Sequence, residues 1–139
     1  MSNLPETSGK LEGVPAILYA GLWNVREAGF LKEIMAELGI KQISLRIDME
    51  DYKPGGILVV DGEKGDYKVI SFTNRDEVKN IPVDIEVVGN LKPIVLLLQE
   101  GKNIVFGVLG LLLKNQLKVR GIRKALLLAK LFARCGMSV

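Results

Sequence analysis

Residues 117–121 read Leu117-Lys118-Val119-Arg120-Gly121, and this short stretch decides how the carboxyl-terminal part of the chain folds. Apolar and basic side chains alternate over its first four positions, which predicts a strand with one buried and one exposed face. Gly121 bounds the strand, and apolar residues then recur at helical spacing from Ile122 to Cys135. The stretch therefore predicts a basic strand followed by a closing helix.

The closing helix is predicted to have a thin polar face. Arg123, Lys130 and Arg134 fall on one narrow stripe of the helical wheel, whereas Leu128 and Phe132 face the opposite way. Such a helix either caps a core tightly or covers a cavity whose contents are also apolar, with the basic stripe at the rim. Both interpretations stay open at this point.

Charge is divided unevenly along the chain. Residues 101–139 contain eight basic and no acidic side chains, and residues 1–100 contain the other 11 basic and all 16 acidic ones, so that +8 and −5 add to the net charge of +3. Positive charge beside apolar helices is one pattern expected of a protein that visits an anionic membrane surface. A solvated basic rim on an ordinary core would give the same count.

Composition bounds the classes of function. A chain of 139 residues with 48% apolar and 25% charged residues forms about one domain with a real core. The chain has no histidine and one cysteine, which excludes a disulfide framework, the usual zinc sites and histidine-dependent nucleophilic catalysis. We expect no catalytic residue, no metal and no cofactor.

Other features of the sequence predict the location and domain organisation. The longest uninterrupted apolar run, 104–113, is about half of the roughly twenty residues that a transmembrane helix needs. The amino terminus lacks the basic and apolar blocks of a signal peptide, which predicts a cytoplasmic protein. Residues 1–13 are polar and without periodicity, so we expect a loose leader followed by a single domain at 14–139.

The periodicity changes twice along the chain, from helix to strand and back. Helices are predicted at 16–23, 25–38, 90–101 and 104–113. The second of them is assigned from Asn24 and Glu27, which form a capping-box pattern. Before the basic strand, further strands are predicted at 43–49, 57–60, 67–72 and 81–87, the first with one buried and one wet face.

The strand Leu117-Lys118-Val119-Arg120-Gly121 resembles the lysine-rich element of the sterol carrier protein type 2 (SCP2) domain family. An apolar helix after Gly101-Lys102 and a closing helix with Lys130-Leu131 complete the likeness, while the strand-rich middle is similar in order only. Asn115 stands where members usually have glycine, an exchange that left-handed backbone tolerates. The resemblance implies an α+β fold, in which helices cover one face of an about five-stranded, mostly antiparallel sheet and enclose an apolar tunnel.

The same resemblance implies non-catalytic binding or transfer of fatty acyl, sterol-like or other apolar molecules. Arg123 and Lys130 would meet a carboxylate or phosphate head group at the rim. Every apolar candidate has ordinary core as its alternative interpretation. The side chains on the inner faces that would carry binding are Leu97, Leu98, Ile104, Val108, Leu111, Leu112, Leu128 and Phe132.

Two further classes of function compete with ligand binding. The apolar surface of 16–23 and the closing helix would equally suit an interaction module, either a homodimer or an accessory subunit of an enzyme that acts on lipid. Nucleic acid is not expected as a partner, because Lys118 and Arg120 lack the interleaved aromatic groups that single-strand binders use. The carboxylates that cluster in the strands are interpreted as solvating groups, and they are Asp48, Glu50, Asp51, Asp84 and Glu86.

Overall fold

The computed structural model describes residues 12–93, 96 and 117–135. Residues 91–93 begin a further helical segment. The predicted helix at 104–113, and most of the one at 90–101, lie outside the described residues. In chain order the described helices and strands are α1 (Gly13–Glu27), α2 (Leu31–Leu38), β1 (Gln42–Met49), β2 (Tyr52–Asp61), β3 (Asp66–Phe72), a 3-10 helix (Arg75–Glu77), β4 (Ile85–Gly89), β5 (Leu117–Arg120) and α3 (Ile122–Arg134).

The strands form one mixed sheet in the order β3-β2-β1-β4-β5. Three neighbouring pairs are antiparallel, and the central pair, β1 with β4, is parallel. Leu45 in β1 is opposite Leu58 of β2 on one side and Ile85 of β4 on the other. The predicted α+β class and the five-stranded, mostly antiparallel sheet are confirmed.

The main core lies between the sheet and its three described helices. Side chains alternate along a strand, so every second residue of β1 to β4 faces the helices. Helix α1 contacts β2 and β3, while α3 contacts β4 and α2. The fully buried contributors from the helices are Leu22, Leu31, Met35 and Leu131, and those from the strands are Ile43, Leu58, Val60 and Ile85.

The opposite face of the sheet is also covered, which corrects the prediction of a wet face on β1. Ser44, Arg46 and Asp48 point to that face and are only 9%, 9% and 7% exposed. The connection between β3 and β4, residues 73–84, crosses this side and contributes Val78 to an apolar cluster with Ile57, Ile70 and Phe72. Alternation along β1 could not reveal this cover, because it comes from a distant part of the chain.

The boundary between the first two helices also differs from the prediction. Asn24 lies within α1 and caps nothing, since its carbonyl accepts the N–H of Ala28 at 3.0 Å as part of a continuing helix. The chain turns at Gly29, whose φ of +82° is readily adopted only by glycine. Helix α2 therefore begins at Leu31 and not near residue 25.

An arginine surrounded by aromatic rings attaches α1 to β3. The guanidinium of Arg26 lies 4.5 Å from the centre of the Trp23 ring and 5.0 Å from that of Tyr67 in β3. It also donates to Asp66 at 3.3 Å. The Tyr67 hydroxyl donates to the carbonyl of Tyr19 at 2.5 Å. These cation–π contacts and hydrogen bonds fix the carboxyl-terminal end of α1 on the sheet.

Candidate functional site

Three apolar side chains form a row across neighbouring strands on the helix side of the sheet. Ile47 of β1 is opposite Val87 of β4, and Val87 is opposite Val119 of β5. All three are only partly buried, and they join the main core to a smaller cluster around Met49 and Leu117. We refer to Ile47, Val87 and Val119 as the apolar floor.

Helix α1 bounds the apolar floor on the β2 side. Gly56 is the β2 partner of Ile47. A Cβ atom at Gly56 would lie 3.2 Å from Cδ1 of Leu18 and 3.3 Å from Cα of Pro15, so the helix rests directly on the strand there. The next row along the strands, Leu45 with Ile85, belongs to the main core. The floor is therefore bordered by packed structure on these two sides.

The turn after β5 fixes the start of α3 at the other side of the floor. Gly121 has a φ of +81°, and a Cβ atom there would lie 2.3 Å from the carbonyl oxygen of Asp84. A glycine is needed at this position both for its conformation and for the close approach of the two backbones. The glycine that ends the basic strand in the sequence thus sets where the closing helix leaves the sheet.

The connection from β4 to β5 begins and ends beside the floor, because Gly89 is opposite Leu117. Asp51, in the turn after β1, accepts the backbone N–H groups of Leu91 at 2.7 Å and Lys92 at 3.1 Å. These hydrogen bonds lower the pKa of the Asp51 carboxyl below its usual value. The carboxylate thereby caps the first residues of the connection.

Two of the predicted ligand contacts lie in the main core. Leu128 and Phe132 face the sheet from α3 as the helical wheel predicted, and they are 4% and 9% exposed. Their contact with a ligand stays a prediction. The other six predicted contacts lie outside the described residues, and they are Leu97, Leu98, Ile104, Val108, Leu111 and Leu112.

Sequence reasoning did not select the apolar floor as a site. Ile47 and Val87 stand at inward positions of strands that alternation predicts, and Val119 at the corresponding position of the basic strand. The register of three strands brings these residues together. Two of the strands, β1 and β4, pair in parallel, and their partner residues Ile47 and Val87 are 40 positions apart in the sequence. No pattern within one strand carries that information.

The basic side chains of α3 divide into paired and unpaired groups. Lys124 donates to Asp84 at 3.2 Å and Arg134 to Glu37 at 2.5 Å, which ties the helix to the sheet and to α2. Arg123 and Lys130, the predicted rim residues, are exposed and form no ion pair within the described part of the chain.

Three of the five carboxylates, Asp48, Asp84 and Glu86, hold the opposite face of the sheet together, which corrects their interpretation as solvating groups. Glu86 accepts from Nε of Arg46 at 2.9 Å. Asp84 accepts from the backbone N–H of Ser44 at 3.0 Å. Asp48 accepts from Lys53 at 2.5 Å and from Arg75 at 2.9 Å.

The environment of Asp48 favours its charged form. Burial by itself would raise the pKa of the Asp48 carboxyl, but the hydrogen bonds and positive charges of Lys53 and Arg75 outweigh it and hold that pKa below its usual value. A carboxyl with a depressed pKa in the folded state stabilises the fold above its unfolded pKa of about 3.9. That contribution is lost as the pH falls through the folded pKa.

We expect Asp48→Asn to lower the free energy of unfolding by about 1–2 kcal/mol at pH 7, because two charged donors lose their ionised acceptor. At an acid pH, below the lowered folded pKa of Asp48, the difference from the wild type should shrink, since the wild-type carboxyl is then also becoming neutral. Urea denaturation at both pH values measures this. Glu63→Gln, on the exposed β2–β3 turn, is the control, and an equal loss at both pH values would contradict the role assigned to Asp48.

The described residues contain neither a helix able to span a membrane nor a cluster of metal-ligating side chains. No helix in these ranges combines the length and hydropathy needed to cross a bilayer. Among the same residues, no three acidic, cysteine or histidine side chains are arranged so that they could hold a metal ion.

The fold is similar to that of known structures, although neither a protein-family model nor a curated protein matches the sequence. A solved structure described as the UbiJ-SCP2 ubiquinone synthesis protein matches with a TM-score of 0.55 and 16% identity, over 88% of this chain and 87% of that one. Sterol carrier protein 2 like 2 from Aedes aegypti matches with a TM-score of 0.34 and 16% identity, over 80% and 97%. On the first of these matches and the topology described above, the chain is an α+β domain with an SCP2-like fold.

Proposed function

We propose that this chain binds an apolar molecule, such as a fatty acyl chain or a sterol-like compound, over the apolar floor and carries it without chemical change. The observation that carries the proposal is the row Ile47–Val87–Val119, in which aliphatic side chains of three adjacent strands stay partly exposed beside the buried main core. Apolar surface that the described helices bury only in part is the kind of lining that small-molecule sites have.

The topology supports the same site. The predicted ligand contacts in 97–112 belong to the connection between β4 and β5, and both ends of that connection lie beside the floor, at Gly89 and Leu117. In the sequence, the apolar run 104–113 therefore lies between two points of the chain that border the floor. A structural neighbour also supports the proposal of an apolar ligand, since a solved structure with a similar fold is named as a ubiquinone synthesis protein.

Burial of the ligand supplies the binding energy. Each methylene removed from water contributes about 0.8 kcal/mol, so a long acyl chain binds well even without polar contacts. Arg123 and Lys130 would add selectivity for a carboxylate or phosphate head group at the rim. The proposal includes no catalytic step. The carboxylates on the opposite face are engaged in ion pairs and backbone hydrogen bonds.

Native mass spectrometry of the purified full chain tests the proposal. We expect a non-covalent adduct that disappears on organic extraction, and we expect the extracted protein to bind a fluorescent fatty acid with a stoichiometry of one. Protein that carries nothing and also fails to bind fluorescent fatty acid and sterol probes would contradict it. Cytoplasmic location remains a prediction from the sequence alone.

A second candidate function is an interaction module, favoured by the exposed apolar side chains on the helices. Ile17 of α1 is 55% exposed, and Trp23 is partly exposed. Trp23, however, already stacks on Arg26, which leaves less of that surface for a partner. Sedimentation at low protein concentration distinguishes the two candidates, because a strict monomer without a copurifying protein would count against the module.

A further inference from the structure

The outer face of α3 carries apolar side chains that the core does not use. Leu128, Leu131 and Phe132 face inward and are buried. Ile122 and Leu126, which are four residues apart and therefore lie on the same side of the helix, are each 50% exposed. One exposed aliphatic residue is ordinary on a protein surface, but two on one helix face form a strip.

Exposed positive charge that forms no ion pair with the described residues flanks this strip. Lys130 follows Leu126 by four residues and Arg123 precedes Lys130 by seven, so both basic groups lie along the same side of the helix. The other two basic residues of α3 are engaged, Lys124 with Asp84 and Arg134 with Glu37. The helix thus separates basic groups that hold it to the protein from basic groups that face outward.

The combination of the two features selects the kind of partner. Aliphatic side chains beside exposed arginine and lysine are what a helix at an anionic bilayer surface presents, with the aliphatic groups among the acyl chains and the cations at the lipid phosphates. Nucleic acid would make no use of Ile122 and Leu126. A second copy of the chain, docked through the same face by a two-fold axis, would bring the two basic stripes towards each other.

We infer that the outer face of α3 docks on an anionic bilayer, with Ile122 and Leu126 inserted at the surface and Arg123 and Lys130 on lipid phosphates. The inference extends the proposed function, because a carrier of apolar molecules has to collect and deliver them at a membrane. Helix α3 follows β5 and Gly121, and β5 carries Val119 of the apolar floor. Docking through α3 would therefore place this helix against the membrane, which is the source of the ligand.

Flotation of the full chain with phosphatidylcholine vesicles, with and without phosphatidylglycerol, tests the inference. We expect binding that requires phosphatidylglycerol and weakens with salt. Removing both charges in Arg123→Gln/Lys130→Gln should lower the partition coefficient by about 25-fold, from about five-fold for each charge. Leu126→Gln should lower it by about ten-fold, since the apolar group at the surface is lost.

Matched controls remove the same groups elsewhere. Lys41→Gln/Lys79→Gln takes away two exposed positive charges, and Phe30→Gln takes away a side chain that is 55% exposed at the start of α2. Both controls should bind vesicles like the wild type. Equal binding to neutral vesicles, or wild-type binding by the α3 variants, would overturn the inference.

Two further readouts keep this inference separate from the proposed function. Fluorescent fatty acid binding in solution should be unchanged in Leu126→Gln. A wild-type protein that binds vesicles but no fatty acid would contradict the proposed function and leave this inference standing. In sedimentation, we expect the wild type to form no dimer through Leu126, that is, no dimer that the Leu126→Gln substitution would dissociate. Such a dimer would mean that the strip holds a second copy, and the inference would then be wrong.

Discussion

Val87→Phe is expected to weaken binding of a long-chain fatty acid by about a hundred-fold. The larger ring would project from the centre of the apolar floor, between Ile47 and Val119. If it displaces about four methylenes of the ligand, the loss is about 3 kcal/mol, which corresponds to about two orders of magnitude in Kd. Titration of extracted protein with a fluorescent fatty acid measures the change.

Val88→Phe provides the control for this result. Val88 is the next residue of the same strand and points to the opposite face of the sheet. Its substitution therefore adds the same ring at nearly the same position along β4, but on the face away from the floor. We expect its Kd to stay within about two-fold of the wild type, and circular dichroism should show both variants folded. Equal affinities of the two variants would mean that the ligand does not lie on the floor.

Gly121→Ala is expected to produce the largest loss of stability, at about 2–5 kcal/mol. The added methyl group would lie 2.3 Å from the carbonyl oxygen of Asp84, and the backbone φ of +81° is unfavourable for alanine. The conformational cost is about 1–2 kcal/mol, and forcing β4 and the β5–α3 turn apart adds about 1–3 kcal/mol. The midpoint and slope of urea denaturation give the free energy of unfolding.

Gly29→Ala isolates the steric part of this effect. Gly29 has nearly the same φ, +82°, but a Cβ atom there would have nothing within 4 Å. Its loss should be only the conformational cost of about 1–2 kcal/mol. If both variants lost the same stability, the contact between Gly121 and Asp84 would not be fixing the position of α3.

The sequence predicts a strand or helix of this fold correctly where the burial of one of its faces produces a regular spacing of apolar residues. Alternation identified β1, and helical spacing identified the inward side of α3 with Leu128 and Phe132. Predictions that depended on distant segments were wrong. Alternation along β1 predicts a wet face with Arg46 and Asp48, because nothing near them in the sequence indicates the crossing of 73–84. The cap predicted at Asn24 is wrong for a local reason, since α1 continues through that residue.

The candidate site divides in the same way. The outward side of α3, with Arg123 and Lys130, followed from periodicity on a single helix, and both residues are exposed. Their place at the rim of a ligand site stays a prediction. The apolar floor did not follow, because it exists only where β1, β4 and β5 are aligned. Parallel pairing of β1 with β4 joins residues 40 apart and leaves no local signature. Strand identity can thus be inferred from one segment, whereas strand register cannot.

The shortness of β5 has a consequence for how the molecule behaves at high concentration. This outermost strand is four residues long and carries the exposed Lys118 and Arg120, whose charges would meet their own counterparts if two such borders came together. Natural sheets use short, charged edge strands to prevent intermolecular β-pairing and aggregation. The basic residues that mark this strand in the sequence therefore also discourage fibre-like self-association of a protein that exposes apolar side chains elsewhere.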